Sequence, residues 1–148
     1  MSGIWVDWPN LLTQTTELHV LSLTGDGFVG NIPNTITLFK NLKYLDLSHN
    51  YFSDVIPTSI YDMGQLEHLY LNGNMLTGII PWGVGQLRSL VTLDLSSNFM
   101  VGPLPDMRSM NQLNACSIPS DICVVNYEDV PSICSSNLPL CTAVGNNK

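Results

Sequence analysis

Hydrophobic positions in this chain recur every 24 residues, a period far longer than that of any single helix or strand. One column runs Leu18, Leu42, Leu66 and Leu90, a second Leu21, Leu45, Leu69 and Leu93, and a third Leu23, Leu47, Leu71 and Leu95. An amide or carboxylate follows at Asp26, Asn50, Asn74 and Asn98. Next come Phe28, Phe52, Leu76 and Met100, then Gly30, Asp54, Gly78 and Gly102. Each unit closes on Ile32-Pro33, Ile56-Pro57, Ile80-Pro81 or Leu104-Pro105, and Pro9 extends the series toward the start. Two apolar residues three apart come after the proline: Ile36 and Phe39, Ile60 and Met63, Val84 and Leu87. A repeat of this length is one supersecondary unit that stacks on its neighbours.

The local pattern predicts what each unit contains. Leu-x-Leu alternates with period two, so it reads as a short strand with one buried face. Ile-Pro fixes φ and removes a donor, which ends any strand ladder. The apolar pair suits a short, tight helical turn against the same core. Stacking lays the strands side by side in parallel, roughly 4.8 Å apart. No coil can bury its leucines alone, so the coils share one core. The Asn column is expected to be structural, with inward amides bonding backbone groups that would otherwise be buried unsatisfied.

The consensus L-x-x-L-x-L-x-x-N-x-L-x-G-x-I-P resembles the plant-type leucine-rich repeat over residues 8 to about 123. Only Asp54 in the glycine column and a one-residue deletion near Met107 depart from it. The resemblance implies an α/β fold, a right-handed solenoid with a parallel concave β-sheet and short helical or 3-10 turns on the convex side. We expect residues 1–123 to form this solenoid, with four full repeats and a partial repeat at each end. Residues 124–148 are expected to form a cysteine-containing cap or tail. Similar families include receptor-kinase ectodomains and inhibitors of cell-wall-degrading enzymes, all of them binders.

The two ends differ in kind. Trp8-Pro9, Leu12 and Leu18 match the second half of a repeat, so the chain begins inside a coil. Plant-type relatives cover that end with a paired-cysteine cap carrying a tryptophan, and here Trp5 and Trp8 are present without cysteine. The sequence reads as a fragment whose cap is missing, the alternative being that Ile4, Trp5 and Trp8 plug the end. All four cysteines fall in the last third: Cys116, Cys123, Cys134 and Cys141. An even count confined to a terminal cap reads as a disulfide clamp. Three pairings are open, and short loops favour Cys116–Cys123 with Cys134–Cys141. Zinc is the rival reading, but the spacings are wider than those of usual zinc knuckles. Disulfides place the protein in an oxidising, extracellular setting, secreted or as the ectodomain of a membrane protein. No Asn-x-Ser/Thr sequon occurs.

Composition narrows the partners. Over 148 residues the chain is 45% hydrophobic with a mean hydropathy of +0.17, ample for a core. A net charge of −7 leaves no basic stripe to neutralise phosphates, which argues against nucleic acid. With five Lys and Arg in all, an anionic membrane surface is equally unsuited, and no run approaches a transmembrane helix. Residues 1–14 carry neither a positive cluster nor an apolar stretch, so no signal peptide is expected there.

Gly25-Asp26-Gly27-Phe28-Val29-Gly30 matches G-x-G-x-x-G after a strand-like segment, with Asp46 about twenty residues on, as a dinucleotide fold would want. The helix such a site needs is missing, because Asn31-Ile32-Pro33 is a poor helix opening. The repeat already explains Gly30 and Asp26. No cofactor is expected. No nucleophile-elbow, zinc-protease or β-lactamase motif is present, and His19, His49 and His68 fall in three different columns, so no enzyme is expected.

The outward strand positions carry the functional reading. They form columns Val20, Tyr44, His68, Thr92, then Ser22, Asp46, Tyr70, Asp94, then Thr24, Ser48, Asn72, Ser96. Tyr44, His68 and Tyr70 would lie together, flanked by Asp46 and Asp94, and exposed aromatics with polar neighbours anchor recognition surfaces. Four coils make a groove roughly 20 Å long, room for about six extended residues. The sequence therefore points to an extracellular module binding a protein or peptide through its concave face, as part of a receptor or an enzyme inhibitor. The alternative is a structural or wall-associated protein binding polysaccharide. The convex residues Asp54, Asp62 and Arg88 are expected to tolerate substitution.

Overall fold

In the computed structural model the second leucine column becomes the inner face of a sheet. The structure describes residues 4–5, 17–135 and 137–141. Five strands, β2 (Val20–Ser22), β4 (Tyr44–Asp46), β6 (His68–Tyr70), β8 (Thr92–Asp94) and β10 (Ala115–Ser117), pair in chain order, all parallel. Leu21, Leu45, Leu69 and Leu93 sit directly opposite one another in that register, with Cys116 completing the row. All four leucines are buried, and so are Leu42, Leu66 and Leu90 beneath them. Burying a side chain of this size is worth about 1.5–3 kcal/mol, so the stacked columns dominate stability.

The Ile-Pro segments do what their chemistry dictates. Pro33, Pro57 and Pro81, all in extended conformation, precede the 3-10 turns Asn34–Leu38, Thr58–Asp62 and Trp82–Gln86. Ile36, Ile60 and Val84 point from these turns into the core. At the one-residue deletion no such turn is assigned, yet Met107 and Met110 still fill the core.

The Asn column is structural, as expected. The Asn50 side chain accepts the N–H of Phe28 at 3.0 Å and that of Asp26 at 3.1 Å, while its Nδ2 donates to the carbonyls of Leu23, Leu47 and Ser48. Asn74 and Asn98 repeat the arrangement one coil and two coils on.

A second sheet was not legible in the periodicity. Strands β1 (Ile4–Trp5), β3 (Phe28–Asn31), β5 (Tyr51–Val55) and β7 (Met75–Thr77) pair in parallel on a second wall, and β9 (Gly102–Leu104) pairs with β11 (Ile122–Val124) further along. Its inner residues are the Phe52, Leu76 column. The glycine column runs through or beside these strands with left-handed backbone, φ 101° at Gly30, 80° at Gly78 and 94° at Gly102. Asp54 adopts φ 70° at the same place. A side chain at Gly78 would also meet Val55 Cγ1 at 2.9 Å. In the G-x-G-x-x-G segment, Gly30 lies inside β3 and leads to Pro33, so the repeat accounts for it.

The cysteine pairing differs from the short-loop expectation. The bonds are Cys116–Cys134 and Cys123–Cys141, each spanning 18 residues, with Cα atoms 5.0 and 4.9 Å apart. Cys116 belongs to β10 and Cys123 to β11, so they stand on separate walls of one coil and cannot meet. A four-residue α-helix, Ser132–Ser135, packs back against β10 and delivers Cys134. The chain then runs beside β11, where Cys141 N–H donates to Val124 and Val124 bridges Leu140. Both bonds consume all four thiols, which removes the zinc reading. Of the proposed N-terminal plug, only the backbone pairing of Ile4 and Trp5 with Phe28 and Val29 is described. The readings placed on Trp8-Pro9, Leu12 and the side chains of Ile4, Trp5 and Trp8 lie outside the described residues.

Candidate functional site

Parallel pairing in strict register converts the 24-residue repeat into contact. Tyr44 stands opposite His68, and Asp46 opposite Tyr70, which in turn stands opposite Asp94. Five residues far apart in sequence thus occupy one patch on the solvent side of β4, β6 and β8. The Tyr44 ring lies 5.7 Å from His68 and 5.6 Å from Tyr70, tilted to both, while His68 and Tyr70 stack nearly parallel at 6.5 Å. These are the separations at which aromatic pairs attract beyond simple area burial. All three rings are half-buried, with their remaining surface facing outward.

Two of the rings are also held from the side. His68 Nδ1 lies 3.1 Å from the Thr92 hydroxyl, which fixes the imidazole plane. The Tyr44 phenol is held above its ordinary range, first by partial burial, then by the Asp46 carboxylate and by Tyr70. It therefore remains a neutral donor, and a hydrogen bond to Asp46 contributes to the shift.

The carboxylates are less free than the sequence pattern implied. Asp46 Oδ1 accepts both the N–H and the hydroxyl of Ser48, at 2.9 and 2.6 Å. Asp94 does the same with Ser96, at 3.0 and 2.6 Å. The shared Asp-Leu-Ser spelling accounts for both, since an Asp side chain readily bonds the backbone two residues on. Each carboxylate is thus pinned at the end of its strand, with a fixed direction. Ser48 is correspondingly buried, its hydroxyl covered by Asp46 and Thr24.

Two neighbours were not among the expected anchors, although the outward columns already held Asn72. His49 adopts φ 56°, and its Nε2 lies 3.3 Å from Asn72 Nδ2. Asn72 Oδ1 is buried without a hydrogen-bond partner among the described residues. The signal for His49 was its column, which otherwise holds Gly25, Gly73 and Ser97, all with positive φ. A side chain at Gly73 would collide with the His49 ring at 2.7 Å, so this histidine occupies room that a glycine leaves open. Among the described residues no group of three His, Cys, Asp or Glu could hold a metal ion.

Comparison with known proteins agrees with this architecture. A family model described as leucine rich repeat matches residues 16–76 and again 40–100, more than half of the chain. The chain belongs to the leucine-rich-repeat family, and its solved neighbours make it plant-type. It is similar to the receptor kinase HAESA of Arabidopsis, solved with the peptide hormone IDA and the co-receptor SERK1, at 33% identity and a TM-score of 0.69. That match covers 74% of this chain and 18% of HAESA. The plant peptide hormone receptor RGFR1, in complex with RGF2, is 33% identical with a TM-score of 0.70, covering 76% of this chain and 18% of the receptor. In the BIR3–SERK2 complex from Arabidopsis thaliana the matched chain is 29% identical with a TM-score of 0.68, covering 84% and 70%. The chain therefore spans about a fifth of the length of the first of these receptors. A search of curated protein sequences returns no significant match. Among the described residues no helix is long and apolar enough to cross a membrane.

Proposed function

We propose that this chain is an extracellular recognition module that binds a peptide or an extended protein segment across its concave sheet. The observation that carries the reading is the cluster of Tyr44, His68 and Tyr70, packed ring to ring at 5.6–6.5 Å on the outer face. Tyrosine supplies a large, stiff contact with a polar tip, and a pre-packed cluster loses little entropy on binding. Asp46 and Asp94, already oriented by Ser48 and Ser96, would receive basic or hydrogen-bond-donating groups on either side of Tyr70. Solved structures of similar fold hold peptide hormones or co-receptors, which supports a peptide or protein over a wall polymer. The two disulfides support an oxidising, extracellular setting.

Selection of random dodecapeptides on the purified chain tests this reading. Recovered sequences should carry Arg, Lys or hydroxylated residues, and their binding should disappear on Tyr44→Ala and Tyr70→Ala. Sequences that bind both variants as well as the native chain would refute the concave-face assignment.

A further inference from the structure

The solvent side of the concave sheet carries two carboxylates without a cationic partner. Asp46 and Asp94 are both partly buried, and neither forms a salt bridge among the described residues. Lys43, one residue before β4, is taken by Glu67 at 2.9 Å, and Arg108 is taken by Asp106 and Asp129. What holds the two carboxylates is neutral: the N–H and hydroxyl of Ser48 for Asp46, and those of Ser96 for Asp94. The Tyr44 phenol adds a further donor at Asp46. An ionised carboxylate accepts about four hydrogen bonds, so both keep capacity for a cation.

Their separation is set by register. Tyr70 stands opposite Asp46 on one side and Asp94 on the other, so the carboxylates are two strand spacings apart, about 10 Å along the solenoid axis. Both leave their strands at the same position, each pinned by a serine two residues on. The aromatic floor lies between and beside them, with Tyr70 in the same row and Tyr44 and His68 one row back.

That span selects a backbone. In an extended strand, side chains on one face are two residues apart, about 7 Å, or four apart, about 13 Å, and neither matches. A polyproline II helix has three residues per turn and rises about 3.1 Å per residue, so positions i and i+3 face the same way about 9 Å apart. An α-helix matches only at i and i+7, and a segment of that length is marginal as a helix on its own. Polyproline II is also the preformed conformation in which proline-rich segments dock on aromatic-lined grooves. We infer, on the peptide reading of this face, that its ligand is a proline-rich polyproline II segment of the pattern basic-x-x-basic. The two cations sit on Asp46 and Asp94, and the residues between them lie over Tyr70.

The test is calorimetric titration of the oxidised full chain with three octapeptide isomers, each of six prolines and two arginines. The arginines are placed at i and i+2, at i and i+3, or at i and i+4. The i, i+3 isomer should bind about tenfold or more tightly than either of the others. Asp46→Asn and Asp94→Asn should each weaken it about tenfold and abolish the preference for spacing. An amide oxygen still accepts from the serine, so both variants should melt near the native chain. Asp54→Asn, which removes an exposed carboxylate from the second wall, should leave the affinity unaltered. Equal binding of the three isomers, no binding by any of them, or unchanged affinity in Asp94→Asn would overturn the proposal. So would tighter binding by spermidine, or by an alanine-rich helix with arginines at i and i+7. Isomers that bind equally yet lose their affinity with Tyr70→Ala would leave the peptide reading in place and remove the spacing alone.

Discussion

The side-chain oxygen of Asn74 accepts the backbone N–H of Phe52, 22 residues earlier, at 3.0 Å. The same amide donates to the carbonyls of Leu47 and Leu71, at 2.9 and 3.0 Å. One side chain therefore ties the end of its own strand to the preceding coil. It also satisfies main-chain groups at a turn where water cannot reach, for Asn74 is itself buried. Asn74→Ala should cost about 2–4 kcal/mol, since several buried groups lose their partner together. Asn74→Asp should recover only part of this, because a carboxylate accepts but cannot donate. Chemical denaturation with a circular-dichroism readout measures both, and an alanine variant within 0.5 kcal/mol of native, roughly the scatter of surface changes, would contradict the structural role.

Peptide mapping without reductant should recover Cys116 linked to Cys134 and Cys123 linked to Cys141. Each loop is of the size for which a cross-link contributes about 3 kcal/mol by restricting the unfolded chain. Reduction should therefore lower the melting temperature markedly, and the last coil should open first, seen as early amide exchange in β10 and β11. Recovery of Cys116–Cys123 would mean that the terminal segment does not return to β10.

The solenoid could be read from the sequence because its leucines, asparagines and prolines each do one job at every repeat. The position of Tyr70 between Asp46 and Asp94 followed from that period alone. What the period could not show was pairing between walls. Tyr51–Val55 carries one buried phenylalanine and a left-handed Asp54, so it lacks the clean alternation of a strand, and the second sheet stayed hidden. The cysteine pairs depended on which wall the returning tail would meet, and loop length is blind to that. Likewise Asp46 looked free until the hydroxyl of Ser48, two residues on, was seen to hold it.

Asp54 sits at φ 70° in a column otherwise filled by glycine. Left-handed backbone costs an ordinary residue about 1 kcal/mol relative to glycine, though Asp tolerates it better than most. Asp54→Gly should therefore stabilise the chain by a few tenths to about 1 kcal/mol, seen as a higher denaturation midpoint with unchanged slope. Asp54→Val, β-branched at the same angle, should do the opposite.

Alkaline pH should weaken the fold through two tyrosines. Burial raises the phenol of Tyr61 far above its ordinary range and, with Asp46 and Tyr70, raises that of Tyr44 as well. In the unfolded chain both ionise near pH 10. Their contribution is thus fully present below that value, and it is lost as pH rises toward the native values, because the unfolded state sheds protons the native state keeps. Denaturation midpoints compared at pH 8 and pH 11 should fall, and Tyr61→Phe should fall less. Equal losses in the two proteins would mean that Tyr61 ionises as an exposed phenol.

The most direct measurement is the dissociation constant of one selected peptide for the native chain, for Tyr70→Ala and for Arg88→Ala. Tyr70 stands at the centre of the aromatic patch, between two oriented carboxylates, and Arg88 lies on the opposite side of the solenoid. Removing a central tyrosine anchor should weaken binding about thirtyfold or more, corresponding to 2 kcal/mol or greater, and added salt should weaken the native complex further. Arg88→Ala should bind as the native chain does. A peptide that loses its affinity with Arg88→Ala and keeps it with Tyr70→Ala would contradict recognition by the concave sheet.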